Sequence, residues 1–369
     1  MSQSQIEAAI AAKLAARGAA ALDPPVLQPA GLYLELVGED LRRRAFMIED
    51  DELCLRPDMT APACRAALAL DLWRAPFAVR YQGQVFRKEG EAGAAEFVQA
   101  GAEFFAPPGA PASEALALAS ALEACAAAGV KPALRLGDAA MFAALAASAG
   151  FADVWRARLV RAFAGARGPA ALLDEAAGEA QPPSALARGL AKLSPAEAEA
   201  AFAEMLTIAG IAPVGGRSVG EIAARLREQG LEGDAARPAP ASIAMVRAAL
   251  AIEDAPDAAL KALLSVAGAQ PALRDAVERF RAMWADALKL APAPAEARFS
   301  IGFGRGISYY DGLIFELEAP ALGARASLGG GGRYDGLLRA LAAHEGRAIG
   351  AWSAAGFAVR PKRLADAAQ

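Results

Sequence analysis

The order of four short cassettes, spread over nearly the whole chain, is what most limits its possible folds. LRPDMTAPACRAAL occupies residues 55–68, and YQGQVFRKE occupies 81–89 and leads into EFVQAGAEFF at 96–105. Far downstream come GFGRGISYYDGLIFE at 302–316 and LGGGGRYDGLL at 328–338. Strand-like text therefore stands at both ends of a long middle of different character. Such strands can pair across an insertion, so one discontinuous core is expected rather than two sequential domains.

Local patterns fill in the rest. Apolar and Ala positions at helical spacing over 4–17 predict a first helix ended by Asp23-Pro24-Pro25. Residues 26–44 read as a strand entry breaking at Pro29 and then a helix. FMIEDDELCLRP reads as a short hairpin turning at Glu49-Asp50-Asp51. Thr60 is the expected N-cap of a helix reaching Ala69, with Pro62 in its first turn, where no donor is missed. Residues 77–86 alternate as a strand, with 97–105 as the antiparallel partner. A helix over 113–128 and a strand over 132–138 follow. From about 150 to 290 the text is Ala-rich and helical, and strand patterns return at 298–303, 313–317 and 324–328. The expected division is a core of 1–150 plus 291–369, with 151–290 as a helical insertion.

Composition excludes several classes. The net charge of -4 gives no general electrostatic drive toward nucleic acid, and Arg42-Arg43-Arg44 is the one basic run. The three cysteines, Cys54, Cys64 and Cys125, form no C-x-x-C pair and read as reduced, packed thiols. With His344 as the single histidine, no metal site is expected. The opening residues lack a signal-peptide pattern, and no apolar run is long enough to cross a membrane, so a cytoplasmic chain is expected.

Three groups of residues bear on function, each with two readings. Gly329–Gly332 with Arg333-Tyr334-Asp335 is either a phosphate cradle or a tight turn or close backbone approach; it has neither Walker nor dinucleotide spacing. Gln99 and Glu103 share one face of a strand, as pocket ligands or as an exposed sheet face. Arg305, Tyr309 and Tyr310 follow a Gly-rich strand end, as a site or as core rings with a wet hydroxyl.

Taken in order, the cassettes resemble the catalytic domain of histidyl-tRNA synthetase: motif 2, the two segments peculiar to that synthetase, and motif 3. Matching text covers about 20–140 and 295–365, and Pro29 falls where the motif 1 proline of the dimer interface lies. The resemblance implies an α+β fold, a class II aminoacyl-tRNA synthetase-like antiparallel sheet flanked by helices, and a homodimeric core. It makes the glycine run a strand lining a pocket floor. It implies that Glu103, helped by Tyr310, takes an imidazole. Asp58, Thr60 and Gln99 would hold an α-amino group, and Arg87 or Arg305 would be available for the carboxylate, with Tyr309 alongside.

The departures are equally informative. Asp58 stands where the family usually has Glu. After Arg87 the segment KEGEAGAAE is short and nearly stripped of positive charge, where the synthetase has a basic loop for ATP and tRNA. GFAVRPKRL keeps Arg363 but places Arg360-Pro361 where the synthetase has a glycine beside the nucleotide. No anticodon-binding domain is expected after motif 3. The pattern is similar to the regulatory subunits that partner short-form ATP phosphoribosyltransferase. That resemblance implies no catalytic residues, no cofactor, no tRNA, L-histidine as effector and a catalytic partner in a hetero-oligomer. The alternative is a truncated histidyl-tRNA synthetase-like ligase that activates histidine.

Overall fold

The computed structural model describes residues 1–31, 44–48, 53–70, 72–88, 95–108, 110, 113–165, 168–178, 183–211, 218–234, 237–268, 270–304, 306–323 and 326–369. Its strands are β1 (Ala20–Ala21), β2 (Leu27–Pro29), β3 (Phe46–Ile48), β4 (Leu53–Leu55), β5 (Phe77–Phe86), β6 (Glu96–Ala106), β7 (Ala133–Asp138), β8 (Glu296–Phe299), β9 (Leu313–Glu318), β10 (Ser327–Arg333) and β11 (Ser353–Val359). The helices that shape the core are α1 (Gln3–Ala16), α2 (Thr60–Leu68), α3 (Ser113–Ala127), α4 (Ala139–Ser148), α13 (Asp335–His344) and α14 (Pro361–Ala367). Between β7 and β8 the described elements are helices: α4, then α5 (Asp153–Ala164), α6 (Gly168–Ala177), α7 (Ala185–Ala191), α8 (Pro195–Ala209), α9 (Val219–Asp234), α10 (Pro240–Leu250), α11 (Pro256–Ala267) and α12 (Pro271–Leu290).

The main sheet runs β1-β5-β6-β11-β10-β9-β7-β8. Its inner pairs are antiparallel, as the class requires, but both edges depart from expectation: β1 pairs parallel with β5, and β8 parallel with β7. A second sheet, β2-β4-β3, contains the expected hairpin pairing of 46–48 with 53–55; its turn at Glu49-Asp50-Asp51 lies outside the described residues, as does the helix expected before Arg44.

Several boundaries move for local reasons. The α1 helix starts at a capping box between Ser2 and Gln5. It stops at Arg17 and Gly18, whose φ of +81° suits glycine, and not at Asp23-Pro24-Pro25. The residues released there form β1. Thr60 is the first helical residue of α2 and not its cap; Met59 holds the cap position without a side-chain bond of its own. The strand expected over 298–303 ends at Phe299, and the one expected over 324–328 is β10, carried by the glycines themselves through Arg333.

The sheet has two covered faces. On the back, Ala100, Ala102 and Phe104 of β6 and Phe357 of β11 meet Ile6, Ile10 and Leu14 of α1 and Leu118 and Leu122 of α3 in one large core. Burying each large apolar side chain there contributes about 1.5–3 kcal/mol. That core continues into the helical middle through Trp155, Leu173, Val246, Leu260 and Phe280. The separate cluster is smaller, built from Leu190, Ala198, Phe202 and Ala223 of α7–α9. On the front, Phe105, Val79 and Ala354 meet α2 and α13. At one end of that face, Trp73, Phe77, Phe105 and Trp352 form an aromatic cluster with centroids 4.9–6.0 Å apart.

Candidate functional site

The front face carries the site, and strand register explains its shape. Side chains repeat every two residues on a strand, so Gln99, Gly101 and Glu103 of β6 point the same way. Gly83 and Tyr81 of β5 lie opposite Gln99 and Gly101, and Gly356 of β11 lies opposite Glu103. One strand further, Gly332 of β10 pairs with Gly356. The result is a floor of glycines around two polar side chains. The floor admits nothing larger. A Cβ on Gly356 would strike the Glu103 carboxyl, and one on Gly332 would come within 2.8 Å of the Tyr310 ring. Of the two readings of the glycine run, close backbone approach is the one seen.

Glu103 is fully buried at the centre. The Tyr81 hydroxyl donates to its Oε1 at 2.8 Å, and the Tyr334 hydroxyl donates to its Oε2. Tyr81 also lies 3.1 Å from the Phe357 carbonyl, so its one proton has two acceptors in reach. Both contacts are filled together only when Glu103 is protonated and donates to Tyr81, which then donates onward. Electrostatics agrees. Burial pushes the Glu103 carboxyl up to about 8, against the downward pull of hydrogen bonds from Tyr334, Tyr81 and Thr60, and the nearby Asp58 charge adds to the rise.

The other expected residues take their places around this carboxyl. Asp58 and Thr60, both buried, sit at the start of α2. Gln99 is buried too, and its Oε1 accepts the Met59 N–H at 3.2 Å, leaving one lone pair and the amide NH2 for a ligand. Exposure of the Gln99–Glu103 face is therefore excluded. The Tyr309 ring is buried 4.8 Å from Tyr310 and 6.0 Å from Tyr334. Arg87 stands at the rim, where its Nε donates to the Pro57 carbonyl at 2.5 Å and so ties the end of β5 to the turn before Asp58. Arg305 lies outside the described residues.

Three further side chains matter that sequence reasoning did not single out as ligands or supports. Tyr81 and Tyr334 sit inside quoted cassettes, yet only the register of β5, β6, β11 and β10 shows that both reach Glu103. Arg56, almost fully buried, donates to the carbonyls of Pro24 and Gln84 and fixes the segment leading to Asp58. Beyond the rim, the Arg360 guanidinium lies 3.7 Å over the centre of the Phe97 ring, with Arg87 5.4 Å from the same ring. One face of that ring is thereby covered by a cation from the segment following β11. Arg363 turns away and donates to the Ser327 carbonyl.

A mostly antiparallel sheet with a floor of glycines around a buried carboxyl on one face defines a class II synthetase-like core. The family model described as histidyl-tRNA synthetase matches residues 2–209 and 202–364. The fold is shared with a Bacillus halodurans C protein described as an ATP phosphoribosyltransferase regulatory subunit/histidyl-tRNA synthetase. The TM-score is 0.63 at 19% identity, covering 100% of this chain and 79% of that one. It is also shared with histidyl-tRNA synthetase from Nostoc sp. PCC 7120, with a TM-score of 0.60 at 14% identity over 99% of this chain and 70% of that one. In sequence, the chain is 37% identical over 355 residues to a Brucella anthropi ATP phosphoribosyltransferase regulatory subunit, covering 93% of each. It is 38% identical over 351 residues to a Brucella canis protein of the same name, covering 91% of each. The chain belongs to the ATP phosphoribosyltransferase regulatory subunit family.

Proposed function

We propose that this chain is the non-catalytic regulatory subunit of a short-form ATP phosphoribosyltransferase, and that L-histidine seated against Glu103 sets the activity of the complex. The observation that carries the reading is the buried Glu103 carboxyl, held by two tyrosine hydroxyls over a floor that only glycine permits. A neutral carboxyl and an imidazole share one proton well, which suits histidine better than an amino acid with an apolar or acidic side chain. Asp58 and Thr60 supply acceptors for the ammonium, with Gln99 beside them, and Arg87 or Arg305 the positive charge for the carboxylate. The Arg360 guanidinium on Phe97 and the acidic text after Arg87 favour regulation over histidine activation, because phosphoryl chemistry depends on cationic clamps around an open nucleotide seat.

Feedback requires histidine to prefer the inactive assembly over the active one, and a coupling of about 1–3 kcal/mol is enough to be useful. The core is further proposed to be a homodimer through the segment around Pro29, which a strictly monomeric particle by light scattering would contradict. The direct test of the pocket is calorimetry of histidine binding. Glu103→Ala should lose about 2–4 kcal/mol, since a ligand donor is then buried without a partner. Equal affinity in the two proteins would overturn the assignment.

A further inference from the structure

A second cavity, of about 380 Å³, lies at the end of the sheet where β7, β9 and β10 meet α3, α12 and α13. Its charged lining includes Glu114, Asp138, Asp335, Arg279, Arg333 and Arg339, and Phe280 and Met283 of α12 add an apolar wall. Most of the charge is already committed. Arg333 donates to Asp335 at 2.9 and 2.6 Å and to Glu114 at 3.3 Å. The other Asp335 oxygen accepts the Ala354 N–H, and Glu114 also accepts the Leu313 N–H.

Three groups form no ion pair, although the charges of Arg279 and Arg333 are near enough to be felt by Asp138. Asp138, nine-tenths buried, caps α4 through one oxygen, which accepts the Met141 N–H at 2.7 Å; its second oxygen has no hydrogen-bond partner and lines the cavity. Arg279 and Arg339 are exposed at the mouth and make no hydrogen bond or ion pair among the described residues. The interior thus offers a carboxyl in need of a donor, and the rim offers two cations in need of an acceptor. Burial pushes the Asp138 carboxyl up to about 7 and the Glu114 charge adds to the rise, against the downward pull of the Met141 N–H and the Arg279 and Arg333 charges. The volume lies in the range of about 300–1,000 Å³ typical of small-ligand sites.

We infer that this cavity is a second small-ligand site, for a free α-amino acid whose ammonium binds Asp138 and whose carboxylate lies between Arg279 and Arg339. It is not the Glu103 pocket, but the two share neighbouring residues of the same two segments. Tyr334 reaches forward to Glu103, while its neighbours Arg333 and Asp335 line the cavity; Tyr310 and Asp311 divide in the same way, with Tyr310 against the glycine floor and Asp311 on the cavity wall. A ligand that reorganises the Arg333–Asp335 pair acts on the segment that holds Tyr334. If the front pocket is the seat of histidine, filling one site must then change affinity at the other by the same factor.

The test is calorimetry on the full chain carrying Glu103→Ala, the variant expected above to disable the front pocket, which alters no residue lining the cavity. Each of the twenty common L-amino acids is titrated to about 10 mM, or to its solubility limit where that is lower, which detects dissociation constants up to about the millimolar range. At least one should bind saturably, and its methyl ester, which lacks the carboxylate, should not. Asp138→Asn, which keeps a side chain able to cap α4, should weaken that binding by about tenfold or more, as should Arg279→Ala combined with Arg339→Ala. No saturable binding, or binding indifferent to these variants, overturns the inference. So does an Asp138→Asn effect confined to assembly with the catalytic partner, which would make the cavity a docking socket. Failure of histidine to bind at Glu103 in the unaltered chain would leave this result standing, so the two readings fail separately.

Discussion

Raising the pH above about 8 should weaken histidine binding, and the structure sets where the decline begins. Burial pushes the empty pocket's Glu103 carboxyl up to about 8, while a free imidazole titrates near 6.5. The bound pair needs one proton between them. Between those two values the protein brings the proton and the ligand comes neutral, so affinity is level. Above about 8 neither partner carries it, and a proton must be taken up on binding. Affinity then falls about tenfold per pH unit, or about 1.4 kcal/mol. Below about 6.5 both carry one, a proton must be released, and affinity falls on that side as well. The ligand's ammonium also titrates at high pH. Glu103→Gln shares that loss but has no carboxyl to ionise, so it supplies the correction. The assay is calorimetry across pH 5.5–9.5 in buffers of different ionisation enthalpy, which reports proton uptake directly. A wild-type profile parallel to that of Glu103→Gln above pH 8 would refute the protonated-carboxyl account.

Stability should follow the same group. The folded chain holds the Glu103 proton up to about 8 whereas an unfolded glutamate loses it near 4.5, so the contribution is full below pH 4.5 and declines as pH rises toward 8; urea denaturation should show that decline flattened in Glu103→Gln. Tyr334→Phe removes one of the two hydroxyls on the carboxyl and should cost about 1–3 kcal/mol of histidine binding with little loss of secondary structure, a result checked by calorimetry and circular dichroism. Gly356→Ala drives a methyl group into Glu103 and should destabilise the fold by about 1–3 kcal/mol, read as a lower denaturation midpoint; an unchanged midpoint would show that the floor has slack.

What the sequence revealed follows the range of each interaction. The paired strands β5 and β6 fall where alternation put them, because period-two patterning is local and strong. Glu103 and Gln99 were legible as one face of a strand for the same reason. Their burial was not, since it depends on β11 lying alongside, and nothing in 353–359 advertised a strand. Tyr81 and Tyr334 are 253 positions apart, and their meeting on one carboxyl is a fact of sheet register that no local pattern encodes. Asp23-Pro24-Pro25 is the louder stop signal in the sequence, yet the left-handed Gly18 ends the helix first. Thr60 is not the cap because, of the two N–H groups such a cap would take, Pro62 has none and that of Ala63 bonds the Met59 carbonyl, which starts the helix one residue earlier. The second cavity was invisible because Glu114, Asp138, Arg279 and Asp335 belong to four separate elements, and the fold alone assembles them.

The central claim is that a regulatory chain reads histidine through Glu103 and passes the result to a catalytic partner. It is tested most directly by reconstituting the complex with a short-form ATP phosphoribosyltransferase and measuring phosphoribosyl transfer against histidine concentration, with wild-type and Glu103→Gln chains in parallel. The account predicts that both complexes assemble and turn over. Histidine should inhibit the wild-type complex, and the variant should need at least about tenfold more for the same inhibition, in line with a coupling of about 1–3 kcal/mol. Equal inhibition of both complexes at equal histidine would contradict it and place the sensor elsewhere in the assembly.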